Sequence, residues 1–100
     1  MNWIEIIEIR TQQKSKEKLE VELQKLLTEI NKEKKGFNVK IYNRMNLETD
    51  FIILIVNESE KVLVGNNQLG VRLNEALKEF GMVNYSKWLE LKPQSVQQKN

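Results

Sequence analysis

The sequence predicts an α+β domain: a four-stranded antiparallel sheet with two helices on one face. Three observations predict it. The stretch Asp50–Glu58, DFIILIVNE, carries six consecutive apolar residues from Phe51 to Val56. Side chains alternate across a strand, so Phe51, Ile53 and Ile55 point one way and Ile52, Leu54 and Val56 the other. Both faces of that strand need cover. Two other segments, after Ser15 and after Asn67, repeat apolar residues at helical spacing. The remaining segments alternate or are rich in β-branched residues, so the order is strand, helix, strand, strand, helix, strand.

Asn2–Arg10 is the first strand. Trp3, Glu5, Ile7 and Ile9 share one face and Ile4, Ile6, Glu8 and Arg10 the other. Apolar residues lie on both, with a phase break at Ile6–Ile7 that reads as a slight bulge in a central strand. Ser15 is a suitable helix N-cap. Leu19, Leu23, Leu26, Leu27 and Ile30 then form one helical stripe opposite Lys, Glu and Gln, and Gly36 follows Lys34 and Lys35 as a C-terminal stop. Phe37–Arg44 alternates as a half-buried strand: Phe37, Val39 and Ile41 against Asn38, Lys40 and Tyr42. The turn Met45–Thr49 joins it to the apolar strand, and so short a link predicts an antiparallel pair.

Asn57–Asn67 is polar, contains Gly65 and reads as a loop in which Val62, Leu63 and Val64 pack locally. Asn66 or Asn67 caps a second helix with the stripe Leu69, Leu73, Ala76, Leu77 and Phe80, ended by Gly81. Asn84–Lys92 is the last strand, with Tyr85, Leu89 and Leu91 on one face and Trp88 on the other; Pro93 stops it. Residues 1–92 form one domain and 93–100 a polar, disordered tail. This order is the ferredoxin-like βαββαβ arrangement, in which right-handed crossovers put both helices on one face and the first and third strands in the middle.

Composition excludes several chemistries. Among 100 residues there are 16 basic and 14 acidic ones, a net charge of +2, and their interleaving (KSKEKLEVE, NKEKKG) describes a solvated helix face rather than a nucleic-acid surface. Cysteine and histidine are absent, which removes thiolate nucleophiles, disulfides, imidazole bases and haem or zinc ligands of those types. The acidic residues lack metal-site spacing. MNWIEIIEIR has no basic region ahead of its apolar residues, and no apolar run approaches the ~20 residues of a membrane span. A cytoplasmic protein without metal or other cofactor is expected.

Two helices cover only one face of the sheet. Ile52, Leu54 and Val56, or their alternates on the same strand, then face water on the other; burying three such side chains is worth roughly 1.5–3 kcal/mol each, a sum comparable with a domain's net stability of ~5–15 kcal/mol. A second copy packed face to face about a two-fold axis is the symmetric solution, so the chain is expected to be a homodimer with Ile52, Leu54 and Val56 at its interface; the rival is that the loop Asn57–Asn67 or the tail folds over the sheet, which their polarity disfavours.

The stretches TDFIILIVNE and GNNQLGVRLNEALKEFGMVNYSKWLELK carry a resemblance. Their glycine-led loop, Leu-Gly at the helix start, Phe-Gly at its end and tryptophan in the last strand resemble the dimeric α+β barrel superfamily. Within it, they look like the small antibiotic biosynthesis monooxygenase-like (ABM-like) proteins. The likeness spans most of residues 2–92 and rests on structural motifs. It implies a homodimer with a cavity between sheet and helices in each subunit. Characterised relatives include oxygenases of aromatic polyketides that need no metal or flavin, and haem-degrading enzymes that hold iron with a histidine; the latter activity is excluded here.

Trp3, Tyr42 and Trp88 are the large amphipathic side chains on strands. They can wall a ligand cavity and stack a planar molecule, or they can pack a core or an interface. Arg10 at a strand end can clamp an acidic group or pair with a surface glutamate. Gly65-Asn66-Asn67-Gln68-Leu69-Gly70 opens a helix but lacks the Gly-Lys-Ser/Thr ending of a phosphate loop; Gly70 is read as allowing close helix–sheet approach. Glu5 and Glu8 lie on opposite strand faces and cannot act together on one substrate face. RNA-recognition modules display aromatic residues on the third strand, where this chain has Ile, Leu and Val after Phe51. The reading is a homodimeric barrel that binds a small apolar or aromatic molecule, with no reaction assigned. The alternative is a cofactor-independent monooxygenase acting on an aromatic, polyketide-like substrate.

Overall fold

In the computed structural model, residues 3–33, 37–57 and 69–91 are described. The expected stop at Gly36, the Val62–Val64 cluster, the helix cap at Asn66 or Asn67, Pro93 and the tail 93–100 lie outside them. The elements are β1 (Trp3–Thr11), α1 (Lys16–Glu33), β2 (Phe37–Asn43), β3 (Asp50–Asn57), α2 (Leu69–Leu77) and β4 (Gly81–Leu89). The sheet order is β2-β3-β1-β4, all antiparallel, with β1 and β3 central. This is the ferredoxin-like fold that the pattern predicts.

One face of the sheet meets both helices. Ile7 and Ile9 of β1, Val39 of β2 and Phe51, Ile53 and Ile55 of β3 close against Leu19 and Leu23 of α1 and Leu69, Leu73 and Leu77 of α2. Leu26, Leu27, Ile30 and Phe80 pack at the margin. Ala76, expected in the α2 stripe, is exposed.

The expected bulge in β1 is absent. Ile6 faces Leu54 and Ser86, Ile7 faces Ile53 and Tyr85, and the pairing runs unbroken from Trp3 to Arg10 on both sides. The break in the apolar pattern is chemical rather than geometric: Glu5 holds a core position in a regular strand. The chain then enters α1 through one 3₁₀ turn, Gln13–Ser15, where the Ser15 N–H donates to the Gln12 carbonyl at 2.9 Å.

β4 begins at Gly81, three residues before the expected Asn84. After α2 a 3₁₀ turn, Lys78–Phe80, delivers the chain directly to β1, and Thr11 Oγ1 donates to the Phe80 carbonyl. A side chain at position 81 would overlap the Arg10 carbonyl oxygen, so only glycine lets β4 close on β1 there. Leu91 lies beyond the strand and is exposed.

The turn between β2 and β3 is held from both ends. Asn43 Nδ2 donates to the carbonyls of Glu48 and Asp50 at 3.0 and 2.9 Å, and the Arg44 N–H donates to Asp50 O at 2.9 Å. Asn46 has φ of 66°, a left-handed conformation that asparagine and glycine tolerate and β-branched residues do not. Asn46→Val is expected to lower the free energy of unfolding by about 1–2 kcal/mol, while Asn46→Gly leaves it within about 0.5 kcal/mol; urea denaturation of both variants checks this.

Candidate ligand and assembly site

The face away from the helices carries Ile4 and Ile6 from β1 and Ile52, Leu54 and Val56 from β3, all partly exposed. Cross-strand pairing arranges them in rows. Asn38, Val56, Ile4 and Trp88 form one, Lys40, Leu54, Ile6 and Ser86 the next, and Tyr42, Ile52, Glu8 and Asn84 the third. The centre of this face is aliphatic and its ends are polar or aromatic. Ile52, Leu54 and Val56 therefore lie on the side that no described helix covers.

A depression of about 650 Å³ opens at one end of this face, between Tyr42, Ile52, Arg10, Asp50, Asn84 and Met82. Arg10 and Asp50 are cross-strand partners in the next row. Arg10 donates to both carboxylate oxygens, Nε to Oδ1 at 3.0 Å and Nη2 to Oδ2 at 3.1 Å. Arg44 adds a third bond, Nη1 to Oδ2 at 3.3 Å. Hydrogen bonding from Arg10 holds the Asp50 carboxyl below its usual range against the opposing effect of desolvation, and the same bond raises Arg10. Across the depression Asn84 Nδ2 donates to Glu8 Oε1 at 3.2 Å. Arg10 thus pairs with an aspartate on the neighbouring strand rather than with a surface glutamate.

The four residues expected to wall a cavity divide among three places. Tyr42, 49% exposed, and Arg10 line this depression. Trp88, 57% exposed, shares the face but sits four residues along β4 from Asn84, about 13 Å at the usual strand rise; its Nε1 donates to Ser86 Oγ at 2.8 Å. Trp3 is on the helix side, 5% exposed, with Lys87 Nζ 5.6 Å from its ring centroid. Its indole N–H has no hydrogen-bond partner among the described residues. Asp50, Arg44, Asn84 and Met82 complete the depression and were not singled out from sequence. Arg10 at the end of one strand and Asp50 at the start of another were the available signal, but only strand order makes them neighbours.

Behind the sheet lies a second polar cluster that sequence reasoning missed. Glu5 is fully buried. Tyr85 OH donates to its Oε1 at 2.6 Å and Asn57 Nδ2 to its Oε2 at 3.1 Å. Gly70 in α2 lies directly on this carboxylate: a Cβ there would overlap Glu5 Oε1 and approach Tyr85 Cε1 to 2.8 Å. Gly70 therefore allows the close helix–sheet approach expected of it. Desolvation, with the bond to Glu5, pushes the Tyr85 hydroxyl well above its ordinary value. The cluster is packed shut rather than open to a ligand.

Among the described residues no group of three or more acidic, histidine or cysteine side chains is placed to hold a metal ion, and no helix is long and apolar enough to cross a membrane. Comparison with protein families, with curated proteins and with solved structures finds no match. The class that geometry defines is accordingly the ferredoxin-like α+β domain.

The buried cluster makes two predictions. Gly70→Ala is expected to cost about 2–4 kcal/mol, because the methyl group must displace a hydrogen-bonded carboxylate from a packed site; thermal and urea unfolding measure it. Tyr85 ionises in the unfolded chain near its ordinary value of 10.0 but resists ionisation when folded. Its contribution is complete below that value and is lost as pH rises through it toward the higher folded one. Stability is expected to fall as pH rises above about 10, and the fall to shrink in Tyr85→Phe, read by urea midpoints from pH 8 to 11.

Proposed function

We propose that the chain is a homodimeric α+β barrel protein, of ABM-like type, that holds a small apolar or aromatic molecule between its two sheets. The observation that carries this reading is an aliphatic face that no described residues cover. Ile4, Ile6, Ile52, Leu54 and Val56 are contiguous on the two central strands, with Trp88 beside them. A helix pair already occupies the opposite face. Each of these side chains gains roughly 1 kcal/mol when a partner removes the rest of its surface from water.

A second copy suits this face better than a charged partner does. The centre is neutral, while the rim mixes Lys40, Arg10 and Arg44 with Glu8 and Asp50. A like surface therefore meets it without a single-sign barrier. Packing sheet on sheet at about 10 Å would roof the depression beside Tyr42 and turn it into a chamber. Its size lies in the range of small-molecule pockets, about 300–1,000 Å³. Tyr42, Ile52 and Met82 supply aromatic and apolar wall, and Arg10 and Asn84 supply hydrogen-bond donors.

Leu54→Lys places a charge at the centre of the face and leaves the helix-side core untouched. The wild type is expected to sediment as a dimer at micromolar concentration, and Leu54→Lys as a folded monomer with an unchanged far-ultraviolet spectrum. The dimer is expected to bind a planar probe, 2-naphthamide, and the monomeric variant to bind it at least about tenfold more weakly. A wild-type monomer would refute the reading. Oxygen consumption with aromatic phenols would move it from binding to oxygenation.

A further inference from the structure

We infer that the chamber selects a monoanionic acid with an aromatic or apolar body, its carboxylate held by Arg10 and Arg44. The inference rests on the chamber proposed above and adds the chemistry of its occupant. Asp50 is a single carboxylate with two guanidinium groups on it. Arg10 spends Nε and Nη2 on that carboxylate and Arg44 spends Nη1. Arg10 Nη1 and Arg44 Nη2 make no hydrogen bond among the described residues. The two arginine side chains are 63% and 61% exposed while Asp50 is 14% exposed, so the aspartate sits beneath and the spare donors face outward.

Around Asp50 one negative charge meets two positive ones, while Glu8 brings the lining as a whole to neutrality. Asp50 fixes the orientation of both guanidinium groups, so a second carboxylate meets donors that are already ordered. Tyr42 stands in the adjacent row with its hydroxyl unpaired among the described residues, and Ile52 and Met82 lie beside it. Planar apolar surface next to preorganised donors fits a compound with a ring or chain at one end and an acid at the other. Glu8 limits the charge that the site takes. It faces the same depression, is held by Asn84, and repels a second anionic group placed away from the arginines.

The test compares 2-naphthoate with 2-naphthamide, which keeps the ring and removes the charge, by isothermal titration of the wild-type dimer. Naphthoate is expected to bind about tenfold more tightly, a modest preference because the arginines are solvent-exposed. The preference should fade as sodium chloride rises from 0.05 to about 0.5 M. Arg44→Gln, which leaves the Arg10–Asp50 pair intact, is expected to abolish the preference while naphthamide binding holds. Equal binding of the two compounds to the wild type would overturn the acid assignment and leave the chamber standing. Binding of neither would overturn both. Retention of the full preference in Arg44→Gln and in Arg10→Gln would show that the acid is recognised elsewhere.

Discussion

The buried carboxylate of Glu5 is the constraint on which the arrangement depends. A carboxylate taken wholly out of water costs several kcal/mol unless its oxygens are bonded. Here the donors come from both neighbours of β1, Asn57 of β3 and Tyr85 of β4. The third side is closed by α2, and only because residue 70 has no side chain. One group thus couples three strands and a helix. Because it accepts from fixed donors, it also fixes which face of β1 turns toward the helices, and with it the burial of every alternate residue from Trp3 to Thr11.

That choice leaves the other face as a consequence. Once Glu5, Ile7 and Ile9 turn inward, Ile4, Ile6, Glu8 and Arg10 turn outward, and pairing brings Ile52, Leu54 and Val56 alongside them. The outward face is aliphatic on its central strands; Lys40 lies at its β2 edge and further charge gathers toward one end, where Arg10, Arg44 and Asp50 meet. The proposed assembly needs apolar surface and the proposed recognition needs ordered charge, and the register of two strands places them side by side.

Much of this was legible in the sequence because it follows from periodicity. The six apolar residues of β3 marked a central strand, the leucine spacing marked both helices, and the order of elements gave the topology. Gly70 is legible as a close-approach position because a glycine inside a helix start has few other uses. Four features were not legible. The burial of Glu5 contradicts the local rule that carboxylates face water, and it is made tolerable by Asn57 and Tyr85, 52 and 80 residues away. The early start of β4 depends on Gly81 meeting the Arg10 carbonyl, a contact between distant backbones. Trp3 and Trp88 looked alike as strand aromatics, but the inward face of β1 takes one and the outward face of β4 exposes the other. The depression is likewise a product of register, since none of its residues is adjacent in sequence to its partner across the sheet.

The most direct measurement of the central claim uses that difference between the two tryptophans. Trp3→Phe leaves Trp88 as the single indole, on the face proposed to be covered. Acrylamide quenching of its fluorescence would be measured from about ten nanomolar to a few hundred micromolar protein, a span wide enough to cross typical dimer dissociation constants. The account predicts that quenching falls severalfold as concentration rises and a second copy shields the indole. Quenching that stays high and constant across the whole range would mean that the face remains in water, and would contradict it.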